Sequence, residues 1–328
     1  MSTSSQLCLG GLRLFAQQRA DMQNNPFVST PEWNSYVNYS YKNLYDKLVA
    51  CYGNDYFVAA PYQFNLSGGT QQYALPDGSP SYIDVNGNTA AKFYKLLGVD
   101  AQYSTSPNGW VTVQRFEFIE RNKWGYQTSA AWNWQNGKGL LYRIEGDKLF
   151  FPPGQQTGQL MQIWYVPAPT NLQFVLSTGL TMGSTTATIL DTTGLAVGMN
   201  VSGTGIQDNT VISSIASTSV VLSQNALATS VSATLSYWTD STLLEGIAGW
   251  EEVVIIEAAI KALTKQESDY TGLADQYNEL MKRIEGMGES RDIGQAQHVT
   301  DVQSIAGWND GYGGYSGWGY GSGGGWGF

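Results

Sequence analysis

Residues 30–57, TPEWNSYVNYSYKNLYDKLVACYGNDYF, read as one amphipathic helix with a defined start and stop. Thr30 suits the N-cap, Pro31 the first helical position, and Gly53 the stop. Between them Trp33, Val37, Tyr41, Leu44 and Leu48 recur at three- and four-residue spacing, which makes one apolar face. The natural partners of that face begin only at Leu243, beyond all of the β-type sequence. A helix near the start of the chain must therefore close against a distant segment.

From Leu243, LLEGIAGWEEVVIIEAAIKAL returns to helical spacing through Ile247, Trp250, Val254 and Ile260. A second helix follows with Leu273, Tyr277, Leu280 and Ile284 on one face. A further helix is expected over Ser5 to Asp21, with Leu9, Leu12 and Phe15 on one side and Gly10 and Gly11 weakening it. Between Tyr62 and Pro167 the pattern switches to period two, in FYKLLGV from Phe93, VTVQRFEFIE from Val111, LLYRIEGDKLFF from Leu140 and LMQIWYV from Leu160. Glu145, Gly146 and Asp147 separate two apolar runs and read as a tight hairpin.

One segment breaks this plan. From Leu172 to Trp238 there is no Lys, Arg, Glu or His, and Asp191 and Asp208 are the only charges. TTATI, VGMNVSGTGI, NTVISSI, TSVVLS and VSATLSYW form short strand-like units with turns between them, as in a small all-β sandwich. The sequence on either side continues one body, so the segment reads as a domain inserted in a loop with its ends close together. The chain then closes with GWNDGYGGYSGWGYGSGGGWGF, residues 307–328, which has eleven glycines, seven aromatics and no Lys or Arg. Such a stretch forms no core of its own. It is expected to be an extended tail whose spaced aromatics dock into a partner, with a disordered tail and an aggregation-prone, phase-separating tail as the alternatives.

The expected fold is thus α+β. A helical bundle body, residues 1–171 and 239–306, carries a β-hairpin or β-sheet segment at 58–171, with the all-β sandwich inserted at 172–238 and the tail at 307–328.

Composition narrows the function classes. A chain of 328 residues with net charge −10 argues against a surface that wraps nucleic acid, because that affinity rests on Lys and Arg neutralising phosphates. An acidic wall that nucleic acid slides past is compatible with it. The absence of a run of eighteen apolar residues and of a signal-peptide pattern leads to the expectation of a soluble, unexported protein without membrane contact. Cys8 and Cys51 are the only cysteines, each in a helical pattern, and are expected to be buried reduced thiols.

Candidate catalytic residues are few. His298 is the only histidine, which excludes His-based metal clusters and confines any Ser-His-Asp arrangement to one polar position. No phosphate-binding glycine loop opens a helix after a strand. Carboxylate pairs such as Glu251 and Glu252, Glu117 and Glu120, or Asp46 and Asp55 could in principle serve glycan cleavage. Their simpler role is on solvated faces and at helix N-termini, where the dipole favours negative charge. No catalytic residue, cofactor or metal ligand is expected.

Seven segments in order then carry a resemblance: Trp33 to Phe57, FYKLLGVD (Phe93 to Asp100), RFEFIERN (Arg115 to Asn122), YRIEGDKLFFPP (Tyr142 to Pro153), IWYVPAPTNL (Ile163 to Leu172), GWEEVVIIEAAIKALTKQESD (Gly249 to Asp269) and RDIGQAQHVTDV (Arg291 to Val302). Together they resemble head-to-tail adaptor proteins of short-tailed bacteriophages. The likeness implies a virion protein, made in the host cytoplasm, that sits at the head-tail interface. It would bind the portal protein after packaging, form a ring of twelve copies matching the portal, close the head and present a platform for a tail nozzle or tail tube protein. DNA would pass through the lumen without specific binding. The 172–238 insert resembles immunoglobulin-like modules of phage structural proteins.

On this reading Trp308, Tyr312, Tyr315, Trp318, Tyr320 and Trp326 anchor the tail to the portal. Asn34, Asn38, Lys42 and Asp46, opposite the apolar stripe of the residue 30–57 helix, contact the next copy in the ring. Two alternatives stand beside it: a virion-associated muralytic enzyme, and a tail or surface glycan-binding module acting through the β insert.

Overall fold

The computed structural model describes residues 8–289 except 24, 54–56, 80, 103–108, 121–140, 152–157, 245 and 248. Four helices are described: α1 (Leu9–Arg19), α2 (Thr30–Tyr52), α3 (Glu251–Lys265) and α4 (Thr271–Glu289). They share one core. Trp33, Val37, Tyr41, Leu44 and Leu48 of α2 lie against Val253, Val254, Ala258, Ala259 and Ala262 of α3, with Leu9 and Leu12 of α1 and Ile284 of α4. Each large side chain so buried contributes about 1.5–3 kcal/mol. The helix near the chain's start thus finds the distant partners that its apolar stripe demanded.

Helix boundaries follow local chemistry with small departures from expectation. Ser29, not Thr30, is the N-cap of α2, and Pro31 occupies the first turn. At the other end Gly53 takes a φ of 81°, a conformation open to glycine. α3 starts later than the periodicity suggested, because Gly246 and Gly249 stand at φ 75° and 92° and keep the preceding residues out of the helix.

The middle of the chain corrects the expected helical bundle body, since strand outweighs helix among the described residues. β1 (Tyr62–Asn65), β2 (Gln72–Ala74), β3 (Phe93–Gln102), β4 (Trp110–Thr112), β5 (Gln114–Arg115), β6 (Leu141–Glu145), β7 (Lys148–Phe150) and β8 (Leu160–Pro167) form two four-stranded sheets, ordered β1-β8-β3-β4 and β2-β7-β6-β5. These sheets have their own core of Leu66, Val99, Ala101, Leu149, Phe151, Met161, Ile163 and Tyr165. Strands that bury a complete apolar set between themselves are a lobe, not a segment laid on a bundle. The hairpin read at residues 145–147 is present: Glu145 pairs with Lys148, and Gly146 turns at φ 62°.

α2 crosses the outer face of the first sheet at one end. Tyr45 and Val49 pack on Val166, and the Tyr45 hydroxyl donates to the Pro167 carbonyl at 2.6 Å.

The segment from Leu172 to Trp238 also differs from expectation. β9 (Gln173–Leu180), β10 (Thr186–Ile189), β11 (Asn200–Gly203), β12 (Thr210–Ala216), β13 (Ser219–Leu222) and β14 (Ser230–Trp238) close into an antiparallel barrel ordered β10-β13-β12-β11-β14-β9, not a sandwich. Closure comes from β9, which pairs with β14 along its length and with β10 near its end, so no strand is left as an edge. Inside, Leu180, Ala187, Val220, Leu235 and Tyr237 are buried, and the Tyr237 hydroxyl meets Thr178 Oγ1 at 2.9 Å. Gln173 pairs with Trp238, so the chain enters and leaves the barrel side by side. Leu172 and Trp238 belong to the core of the helical lobe, which plugs the barrel into it.

Candidate functional site

The polar side of α2 is where the lobes meet. Asn34 is fully buried, and its Oδ1 accepts from Arg13 Nη1 at 2.9 Å. The same guanidinium nitrogen lies 2.8 Å from Asp240 Oδ1, which also accepts from the Trp238 indole at 3.1 Å. The Asp240 carbonyl in turn accepts from the Gly10 amide at 2.9 Å. Arg13, Asn34 and Asp240 therefore tie α1, α2 and the chain leaving the barrel into one joint. Asn38, 8% exposed, accepts from the Leu172 amide at 3.0 Å and fixes the chain entering the barrel.

Further along, Lys42 is half-buried, and burial together with the neighbouring Lys92 pushes its pKa down while Asp46 opposes the shift. Asp46 is exposed and accepts from the Tyr94 hydroxyl at 2.7 Å, which raises the Tyr94 phenol. Asn34 and Asn38 are thus interior joints, not the exposed face expected of them. The reason is tertiary: a distant donor, Arg13 for Asn34 and the Leu172 amide for Asn38, meets each side-chain carbonyl inside.

The exposed stripe of α2 runs through Tyr39, Asn43, Asp46 and Ala50. Tyr39 is 60% exposed, the largest aromatic on that stripe. It borders a groove of about 280 Å³ between α2 and β9, lined also by Ser35, Lys42, Gln173 and Phe174. Tyr39, Arg13 and Asp240 were not singled out by periodicity. Asp240 carries a signal nonetheless, as the first charge after the charge-poor segment from Leu172 to Trp238.

The acidic candidates have structural partners. Both Glu251 carboxylate oxygens accept from the Gly249 amide at 3.0 Å, ahead of α3, and Glu252 pairs with Arg19. Glu117 is exposed. Asp55, the Glu120 side chain, His298 and the tail residues Trp308, Tyr312, Tyr315, Trp318, Tyr320 and Trp326 lie outside the described residues. Cys8 and Cys51 are half-buried thiols rather than buried ones. Among the described residues no group of three or more His, Cys, Asp or Glu side chains could hold a metal ion, and no helix is long and apolar enough to cross a membrane.

α2 carries one exposed aromatic, Tyr39, on its outer stripe, and polar bonds through Asn38 and Tyr45 hold the helix to the barrel and the first sheet. No protein-family model matches the chain, and no curated protein matches it either.

Proposed function

We propose that this chain is the head-to-tail adaptor of a short-tailed phage, assembling as a ring on the portal and presenting a platform to the tail. The observation that carries the reading is the arrangement of the resembling segments. The described residues of the first six fall in the helical lobe and the two-sheet lobe, the last segment lies outside the described residues, and the barrel stands between β8 and α3 as a separate closed unit. The net charge of −10 supports it too, because a like-charged wall opposes the phosphate contacts that would make DNA stick.

In this reading the contact between ring neighbours centres on Tyr39, Asn43 and Asp46, and the residue 307–328 tail anchors to the portal through its aromatic side chains. The test is direct. The purified chain mixed with the portal of the same phage should appear in electron micrographs as a second ring on the portal, and portal particles without that added ring would overturn the reading.

A further inference from the structure

The outer face of the β1-β8-β3-β4 sheet, beyond its contact with α2, carries an ordered polar row with a buried centre at Gln162 and half-buried flanks at Gln63 and Asp100. Gln63 is opposite Gln162, Gln162 is opposite Asp100, and Asp100 is opposite Thr112, so four strands contribute side by side. The side chains are hydrogen-bonded in series. Trp164 Nε1 donates to Asp100 Oδ2 at 2.8 Å, and Gln162 Nε2 donates to the same oxygen at 3.2 Å. Gln63 Nε2 donates to Gln162 Oε1, and Asn86 Nδ2 to Gln63 Oε1, each at 3.2 Å. The row ends in the loop where Asp84 accepts from the Asn86 and Asn88 backbone amides at 2.8 and 2.7 Å.

Three further features suit this row to a ligand. The Trp164 ring is 36% exposed while its indole N–H is tied down, so its orientation is fixed. Gly98 stands opposite Trp164, and a Cβ there would meet nothing within 4 Å, so the space beside the ring is open. At the other end of the row a cavity of about 290 Å³ is lined by Tyr62, Gln63, Asp84, Asn86 and Asn88.

We propose that this face, from Trp164 through Asp100, Gln162 and Gln63 to the Asn86 loop, binds a neutral oligosaccharide. A sugar ring offers a C–H face that packs on an aromatic and hydroxyl groups that both donate and accept. Planar amides and a carboxylate already fixed in place meet those hydroxyls without an ordering cost. The charges of the row and cavity are Asp84 and Asp100, with no cation among their residues, which disfavours phosphates and other anions. A protein partner would call for several apolar anchors in a dry centre, whereas Trp164 stands among hydrophilic side chains. The site lies apart from the α2 stripe, so it does not depend on the adaptor reading.

Isothermal titration of the full chain with N-acetylchitotetraose, maltotetraose, cellotetraose and mannotetraose tests the proposal. Saturable binding of at least one is expected, weakened about tenfold or more by Trp164→Ala, the loss expected of an aromatic anchor. Gln63→Ala, a change at an edge strand that leaves the core alone, should weaken it severalfold with the melting temperature unchanged. Val231→Ser on the barrel should leave it as in the parent. The absence of saturable binding to all four sugars, or binding that Trp164→Ala and Gln63→Ala both leave unchanged, overturns the proposal.

Discussion

The side-chain carbonyl of Asn38 accepts the backbone N–H of Leu172 at 3.0 Å across 134 positions of sequence. Both residues are buried, so the amide has no water to turn to. Asn38→Ala should therefore destabilise the chain by about 1–3 kcal/mol, the cost of a buried donor left unmade. Asn38→Asp keeps an acceptor and should cost less. Urea unfolding checks this, with a lower midpoint and an unchanged slope.

Two glycines in the same unusual backbone region should respond differently. A Cβ at Gly246, φ 75°, would stand 1.8 Å from the Phe57 ring, which itself stacks on Tyr45 with centroids 4.2 Å apart. At Gly87, φ 86°, it would meet nothing. Gly87→Ala should cost roughly 1 kcal/mol of backbone strain, and Gly246→Ala several, through strain plus overpacking. Thermal melts of the two variants should differ by many degrees in that order, and equal melting would count against the packing at Phe57.

Alkali should unfold the chain in a defined window. Burial lifts the phenols of Tyr36, Tyr165 and Tyr277 from 10.0 to about 12, with Glu32 adding to the first and Glu257 to the third. A raised folded-state pKa means that the native state keeps its proton longer than the unfolded chain does. Stability is then complete below pH about 10 and declines as pH rises towards 12. Melting temperature followed from pH 9 to 12 alongside tyrosinate absorbance should fall in that range, and Tyr277→Phe should flatten the fall.

Assembly should separate from stability along α2. Tyr39→Arg changes an exposed side chain, so its melting temperature should stay within a degree or two of the parent while added rings on the portal become rare. Asn34→Ala should behave oppositely, because it strips Arg13 of a buried acceptor and loosens the joint to Asp240. Loss of rings in both variants with equal loss of stability would remove α2 as the neighbour contact.

Deleting residues 307–328 should abolish binding to the portal and leave the melting temperature and circular dichroism of the remainder unchanged. Binding measured by co-sedimentation with portal particles decides it, and undiminished binding would remove the tail as the anchor.

Much of the fold was legible where local chemistry decides it. The α2 stripe, Pro31 and Gly53 mark a helix that needs a distant partner, Gly146 marks the hairpin, and the missing charges mark the insert from Leu172 to Trp238. What stayed hidden depends on pairing between remote strands. Sandwich and barrel share the same short alternating strands, and only the double pairing of β9 with β10 and β14 distinguishes them. The sequence reads residues 58–171 as a β segment carried by the helical body, because no residue of β1 or β8 announces that its neighbours complete a core. Asn34 and Asn38 look like solvent-facing residues on a helical wheel, and Arg13 and the Leu172 amide, which make them interior, come from elsewhere in the chain.

The pairing of Gln173 with Trp238 has a consequence for the order of folding. Before the barrel closes, joining β8 to α3 means closing a long flexible loop. Once it has closed, Gln173 and Trp238 are one rung apart, and only the short connections 168–172 and 239–250 remain of that loop. With loop entropy growing only logarithmically, that shortening is worth about 1 kcal/mol to the meeting of α2 and α3. A barrel that closes early would thus act as an internal chaperone for the helical lobe, bringing its two halves within reach of each other before any of their side chains touch.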